Sequence, residues 1–381
     1  MDYRRFGKTG FNLSVFTLGT MRFLQGWDEP HHILPEESLK NCHQVLNTAL
    51  GAGINLIETA RGYGKSERLI GQTLPHLPYR RSDYLIMSKA PPAQTAGEMR
   101  GFVEDSLTRL GVEKLDLFAL HGLNNQDRCQ LSLKKGGSLD ALEQMQAEGL
   151  IGAIGFSTHA PRPLLLTMLA TGRFAFVNLH YYLFKRMNRA AIDLAEALDM
   201  GVLIISPNDK GGRLYTPSPA LSQLTAPLHP ANFNERWILS HPQIHTLSIG
   251  MSEASHIDIH LESLKKKPYW GSEEREAWAK LQEASRHSPF DLCGDCTRCL
   301  PCPQAIDIPE VFRLHHLVVS LKMDHYGQFR YDLMTPGDHW IPGAEGVACD
   351  RCGDCLPRCP QQLAIPDLLL KAHGDLKSTN K

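Results

Sequence analysis

Between residues 12 and 265 the chain repeats one pattern: a short apolar run, an amphipathic segment, then another apolar run. The apolar runs fall at residues 16–19, 55–58, 84–89, 115–121, 151–157, 174–179, 201–206 and 244–249. They are apolar throughout and do not alternate, which is how a strand reads when both of its faces are covered. The segments at 38–50, 66–74, 97–110, 138–148, 189–198 and 254–264 place apolar residues three to four apart, the period of a helix packed on one side. Gly51, Gly111, Gly149 and Gly201 are read as helix ends. Parallel strands joined through helices close, at eight units, into a (β/α)8 TIM barrel, and this is the fold class the pattern predicts. A length of 381 residues leaves room for a second, smaller module.

In such a barrel the C-terminal ends of the strands carry the chemistry. Glu58, Lys89, His121 and Asn178 fall at or near those ends. Taken one at a time, a tyrosine in a loop or a histidine at a strand end is more often structural. The four converge on one mouth of the barrel.

After the barrel pattern, the chain spends eight of its ten cysteines in two runs, Cys293, Cys296, Cys299, Cys302 and Cys349, Cys352, Cys355, Cys359. The second run has the C-x2-C-x2-C-x3-C-P spacing by which thiolates hold a [4Fe-4S] cube, and the first differs by one residue fewer before Cys302. Zinc also takes four thiolates, but its sites usually pair two C-x2-C knuckles across a longer gap. Disulfide frameworks belong to small secreted scaffolds. The spacing therefore favours two [4Fe-4S] clusters. Between the runs, residues 308–321 read as a helix with Pro309 in its first turn, and residues 271–286 as a helix leading out of the barrel.

Composition removes several classes. A formal net charge of -1 gives no support for nucleic-acid binding. No apolar run approaches the ~20 residues of a membrane helix, and the polar N-terminus lacks a secretory core. A reducing cytoplasm, where thiolates survive, is the expected compartment.

Several stretches carry a family resemblance. They are Tyr3-Arg-Arg-Phe-Gly-Lys-Thr-Gly10, Leu18-Gly-Thr-Met21, Gly53-Ile-Asn-Leu-Ile-Glu-Thr-Ala60, Gly62-Tyr-Gly-Lys-Ser-Glu67 and Gly155-Phe-Ser-Thr158. Up to about residue 265 the chain resembles the aldo/keto reductase family. With the cysteine runs it resembles the branch of that family bearing a C-terminal two-[4Fe-4S] ferredoxin-type domain. The resemblance implies a catalytic tetrad of Glu58, Tyr63, Lys89 and His121, with Glu58 where the family has aspartate. Tyr63 would give a proton to the substrate oxygen, Lys89 would favour the phenolate, Glu58 would hold Lys89, and His121 would orient the oxygen.

The same resemblance implies a nicotinamide cofactor, NAD or NADP. Ser157, Thr158 and Asn178 would meet the nicotinamide amide, Ser206 and Lys210 the pyrophosphate, and Gly250 and Ser252 the adenosine end. By analogy with two-cluster ferredoxins, where the fourth cysteine of each run serves the other cube, Cys293, Cys296, Cys299 and Cys359 would hold one cluster. Cys349, Cys352, Cys355 and Cys302 would hold the other.

The expected organisation is a barrel over residues 1–268, a linker helix over 269–290, a ferredoxin-type domain over 291–370 and a polar tail over 371–381. The expected function is redox chemistry on a small carbonyl or alcohol, coupled to an electron-transfer module and a redox partner protein, with no nucleic acid or membrane partner. Nicotinamide moves two electrons and a cube one, and no G-x-G-x-x-G flavin fingerprint bridges the two. A second reading is a non-enzymatic electron carrier or redox sensor with the barrel as scaffold.

Overall fold

The computed structural model describes residues 1–209, 213–285, 290, 293–336 and 342–377. A hairpin of β1 (Tyr3–Arg5) and β2 (Asn12–Ser14) precedes eight further strands. These are β3 (Phe16–Gly19), β4 (Leu56–Glu58), β5 (Leu85–Ala90), β6 (Leu115–Leu120), β7 (Ile151–Ser157), β8 (Phe176–Leu179), β9 (Gly201–Ile205) and β10 (Thr246–Gly250). Every expected apolar run is a strand. They pair in parallel in chain order, and β10 closes the ring by pairing β3, with Leu247 opposite Phe16.

The helices are α1 (Glu36–Gly51), α2 (Ser66–Thr73), α3 (Ala96–Leu110), α4 (Gln126–Leu133), α5 (Ser138–Ala147), α6 (Arg162–Ala170) and α7 (Arg189–Ala197). They continue with α8 (Pro219–Thr225), α9 (Pro230–Leu239), α10 (Ile257–Glu262), α11 (Ser272–Ser285), α12 (Ile308–Val319), α13 (Asp324–Asp332) and α14 (Ile365–Leu376). Helix α3 starts on Thr95, whose side chain accepts from Glu98 N, and stops on Gly111 at φ 64°. Gly201 is different from the expected helix end. It opens β9, and the left-handed turn after α7 falls on Asp199 at φ 48°. A Cβ at Gly201 would stand 2.7 Å from the Phe6 ring, so close packing and not helix termination calls for glycine there.

Phe6 explains why one end of the barrel is closed. The interior cluster of Leu56, Met87, Leu117, Ala119, Ala153, Phe176 and Leu203 is completed by Phe6 and Leu13 from the hairpin segment, all at 3% exposure or less. Phe6 packs on Phe176 and edge-on to His245, at the N-terminal ends of β8 and β10.

The described residues form two compact units. The first is Met1–Tyr181, Asn188–Pro207 and Ile238–Lys266, and contains the barrel strands. The second is Tyr182–Met187, Asn208–Trp237 and Lys267–Lys381. Its centre is α12, whose first turn is capped by Asp307 and holds Pro309. Ten of its residues are buried, and they include Glu310 and Arg313. Those charges are paired: Arg313 bonds Glu310 and Asp209, Lys185 bonds Glu310, and the Tyr182 and Tyr326 hydroxyls both donate to Asp209. In the same unit Arg236 meets Glu274 at 2.7 Å, with both side chains at 2% exposure or less. Residues 371–376, expected in the polar tail, continue α14 because Ala372 and Leu376 are buried. Among the described residues no helix is long and apolar enough to cross a membrane.

His245 ties the seam of the barrel, accepting from Val202 N at 2.9 Å through Nδ1. Burial, then the nearby Arg4, lowers its pKa from 6.5 to about 4. The folded state prefers the neutral ring, so this contribution is intact above about pH 6.5 and is lost as pH falls toward 4. The loss amounts to at most about 3 kcal/mol. Urea unfolding of His245→Asn, which keeps an acceptor for Val202 N, should show a shallower fall in stability across that window than the parent chain.

Candidate active site

The tetrad expected from sequence is assembled within the barrel unit. Glu58 is the last residue of β4 and Lys89 the fifth of β5, and His121 follows β6 directly. Tyr63 lies in the turn between β4 and α2. Lys89 Nζ forms an ion pair with Glu58 Oε1 and donates to Thr59 O at 2.7 Å. It also sits over the Tyr63 ring, 4.7 Å from the centroid. The His121 ring meets the Tyr63 ring edge-on, with centroids 5.7 Å apart and planes at 83°.

Glu58 and Lys89 are 3% and 1% exposed. Burial alone drives the Lys89 ammonium well below its ordinary pKa, and the Glu58 carboxylate and Thr59 carbonyl oppose that by binding the charged form. Burial raises the Tyr63 phenol above its ordinary 10. The site therefore presents a buried phenol with the Lys89 amino group, paired to Glu58, over its ring face.

Two residues that sequence reasoning passed over make room for the glutamate. Ser248 of β10 donates to Glu58 Oε2 at 2.8 Å. Gly19 of β3, between β10 and β4, has no side chain to fill that space: a Cβ there would stand 2.6 Å from Ser248 Oγ and 3.3 Å from Glu58 Oε2. Gln25 in the loop after β3 braces the tyrosine turn, its Oε1 accepting from Lys65 N and its Nε2 donating to Tyr63 O at 3.3 Å. Contacts this far apart in sequence leave no local signal.

The residues expected to meet a nucleotide behave differently from one another. Ser157 Oγ accepts from Gly122 N, and Thr158 Oγ1 donates to Leu123 O, so both hydroxyls brace the loop after β6. Asn178 on β8 is fully buried; its Nδ2 points to Met87 Sδ, and among the described residues its Oδ1 has no hydrogen-bond partner. Ser206 follows β9 with φ at 50°. Lys210 lies outside the described residues. Gly250 ends β10 beneath the Arg22 side chain, whose Cδ would meet a Cβ there at 3.0 Å, and Ser252 O accepts from Asn41 Nδ2 at 2.7 Å. Arg22 is a cation beside Gly250 that the sequence reading missed.

In the second unit, Cys293, Cys296, Cys299 and Cys359 line one cavity with Ile308, Pro309, Phe312, Leu363 and Ile365. Burial pushes Cys293 up to about 11 and Cys299 up to about 12. Burial, and then the neighbouring Cys349, Cys302 and Cys352, raise the Cys355 thiol. Among the described residues no group of three or more His, Cys, Asp or Glu side chains is set to hold a metal ion.

The Aldo/keto reductase family model matches residues 16–219, more than half of the chain. Among curated proteins, 6-dehydroglucose reductase of Novosphingobium aromaticivorans is 25% identical over 314 residues, covering 74% of this chain and 95% of that protein. Pyridoxine 4-dehydrogenase of Escherichia coli is 29% identical over 231 residues, covering 56% of this chain and 77% of the relative. An aldo-keto reductase from Bacillus halodurans, solved in its holo form, superposes with a TM-score of 0.60 at 19% identity and covers 74% of this chain and 96% of its own. One from Klebsiella pneumoniae, solved with NADPH, gives a TM-score of 0.56 at 20% identity and covers 70% and 91%. At those identities the solved structures speak for the fold.

The ion pair makes its own prediction. Glu58→Gln leaves a buried ammonium without its counter-charge and should cost about 3–5 kcal/mol of stability. Because Lys89 is then favoured neutral in the folded state, raising the pH should restore part of the loss. Denaturant melts near about pH 6 and about pH 9 should show the larger deficit at the lower value.

Proposed function

Because the chain belongs to the aldo/keto reductase family, and is thus an oxidoreductase, we propose that it reduces a small carbonyl, or oxidises the corresponding alcohol, with NAD(P)H at the mouth of the barrel. The observation that carries this is the Lys89 ammonium held by Glu58 over the ring of Tyr63, with His121 at the ring edge. Bound nicotinamide supplies the hydride that reaches the carbonyl carbon. Tyr63 gives its proton to the carbonyl oxygen, and Lys89 stabilises the phenolate left behind. His121 orients the oxygen. In the oxidative direction Tyr63 takes the proton from the alcohol.

Asn178 supports the nicotinamide reading. An amide oxygen buried without a hydrogen-bond partner costs about 1–3 kcal/mol, and a carboxamide N–H from the cofactor would satisfy it. Ser157 and Thr158 would shape the same pocket, with Ser206, Lys210, Gly250 and Ser252 along the rest of the nucleotide and Arg22 as an added cation. The complex of the Klebsiella pneumoniae structure with NADPH makes NADPH the first nucleotide to try.

The cysteine runs are read as ligands for two [4Fe-4S] clusters, Cys293, Cys296, Cys299 and Cys359 for one, and Cys302, Cys349, Cys352 and Cys355 for the other. A cube takes one thiolate at each of four irons, so its ligands stand around a cavity and do not meet at a point. The first four line such a cavity. Bound clusters would pass single electrons to or from a redox partner protein. Family membership and the tetrad weigh against a barrel that serves only as a scaffold.

The test is anaerobically purified protein mixed with NADPH or NADH and 4-nitrobenzaldehyde, assayed alongside for iron and sulfide. Nucleotide oxidation that falls at least about 100-fold in Tyr63→Phe is expected; unchanged turnover in that variant would remove the tyrosine from the mechanism. Burial holds the phenol protonated, so carbonyl reduction should stay level up to about pH 10 while alcohol oxidation, which needs phenolate, rises through the alkaline range. Initial rates in both directions across pH check this.

A further inference from the structure

The turn that carries Tyr63 makes bonds of its own, Tyr63 N donating to Ala60 O and Ser66 N to Tyr63 O, both at 3.0 Å. Residues 20–35, the loop between β3 and α1, add others. Gln25, 8% exposed, spans the turn with one carboxamide: its Oε1 accepts from Lys65 N at 2.5 Å and its Nε2 donates to Tyr63 O at 3.3 Å. Lys65, 1% exposed, carries its ammonium to Glu29 Oε2 at 2.6 Å. Ser66 Oγ donates to Thr20 Oγ1 at 2.6 Å, and Thr20 N donates to Glu58 O at 3.0 Å.

Gly64 lets that loop come close. Its φ of 57° lies in the left-handed region that favours glycine, and a Cβ there would stand 2.5 Å from Gln25 Oε1 and 3.2 Å from Trp27 Cζ3. Apolar packing anchors the loop at Phe23, which is buried, but Met21, Leu24, Trp27 and Ile33 are each 44% exposed or more. Beyond Phe23 the loop is held to the turn by polar bonds.

Resting on the carbonyl-reduction reading above, we propose that Gln25 and Glu29 are positioning residues for that reaction. Through Tyr63 O, Lys65 N and the Lys65 ammonium they set where the Tyr63 hydroxyl stands. Neither touches the reacting atoms. Gln25 fixes the peptide groups on both sides of Gly64, a residue whose own backbone is the least restrained. Glu29 closes the clasp from the solvent side, at 49% exposure against 1% for Lys65. Proton transfer needs the phenol within hydrogen-bond reach of the substrate oxygen, and a displacement of about 1 Å costs on the order of 100-fold in rate. Nucleotide contacts made elsewhere are untouched, so the loss falls on kcat and not on KM. The same displacement moves the ring relative to Lys89 Nζ, which lies 4.7 Å from its centroid.

The experiment uses the full chain with NADPH or NADH and 4-nitrobenzaldehyde. Gln25→Met keeps the length of the side chain and neither bond, and Glu29→Lys sets a second ammonium against Lys65 at a half-exposed position. In Gln25→Met kcat should fall at least about 10-fold while KM for the nucleotide stays within about twofold. Glu29→Lys should lose less, and potassium chloride at about 0.5 M should return part of that loss by screening while leaving Gln25→Met unchanged. With carbon-13 at tyrosine Cζ, the resonance that disappears in Tyr63→Phe should shift in both variants, and salt should move it back toward the parent position in Glu29→Lys. Parent kcat in Gln25→Met, or a lowered kcat with the Tyr63 resonance unmoved, overturns the assignment. Should Gln25→Met fail to fold, Glu29→Lys decides by the same two readouts. A parent chain that oxidises neither nucleotide would instead overturn the carbonyl-reduction reading, and the resonance then decides whether the clasp sets the ring.

Discussion

The barrel unit depends on an ammonium and a carboxylate brought together out of reach of water at the ends of two neighbouring strands. Taking Lys89 and Glu58 out of solvent is costly for each, and only their pairing, with Thr59 O and Ser248 Oγ taking up the remaining donors and acceptors, makes it tolerable. That arrangement fixes where the cation stands, and the cation in turn defines the environment of the Tyr63 ring.

Much of the barrel was legible because its signal is local. A run buried on both faces is apolar at every position, and all eight runs from residue 16 to residue 249 are strands. Helices with a strong one-sided pattern, such as α1 and α3, were read from that period, whereas α4 and α6 were missed. Their polar and apolar residues lack a clean stripe: α6 is Arg-Pro-Leu-Leu-Leu-Thr-Met-Leu-Ala, apolar nearly all round. The hairpin at the start was missed because its strands are three residues each, too short to show a period.

The site divided along similar lines. Glu58, Lys89 and His121 were singled out because strand ends are marked by the fold, and Tyr63 by the family resemblance; the structure brings the four side chains together. What sequence could not offer is the reason a glutamate fits. That reason lies in Gly19 and Ser248, on strands that become neighbours only when the ring closes. Likewise the Asn178 oxygen, without a partner among the described residues, is a property of its surroundings, and the pattern of β8 contains no hint of it. The cysteines were legible by spacing, and Cys359, grouped with the first run by analogy with two-cluster ferredoxins, lines one cavity with Cys293, Cys296 and Cys299.

Phe6 seals the barrel from below, while Arg4 donates to the carbonyls of Leu239, His241 and Ile244, just ahead of β10. Arg4 therefore has its partners 235 to 240 positions later in the chain. Until β10 emerges, the nascent barrel is an open sheet with an unpaired edge on β3 and an uncovered aromatic floor. Synthesis of this chain thus includes a long interval in which a chaperone has something to hold.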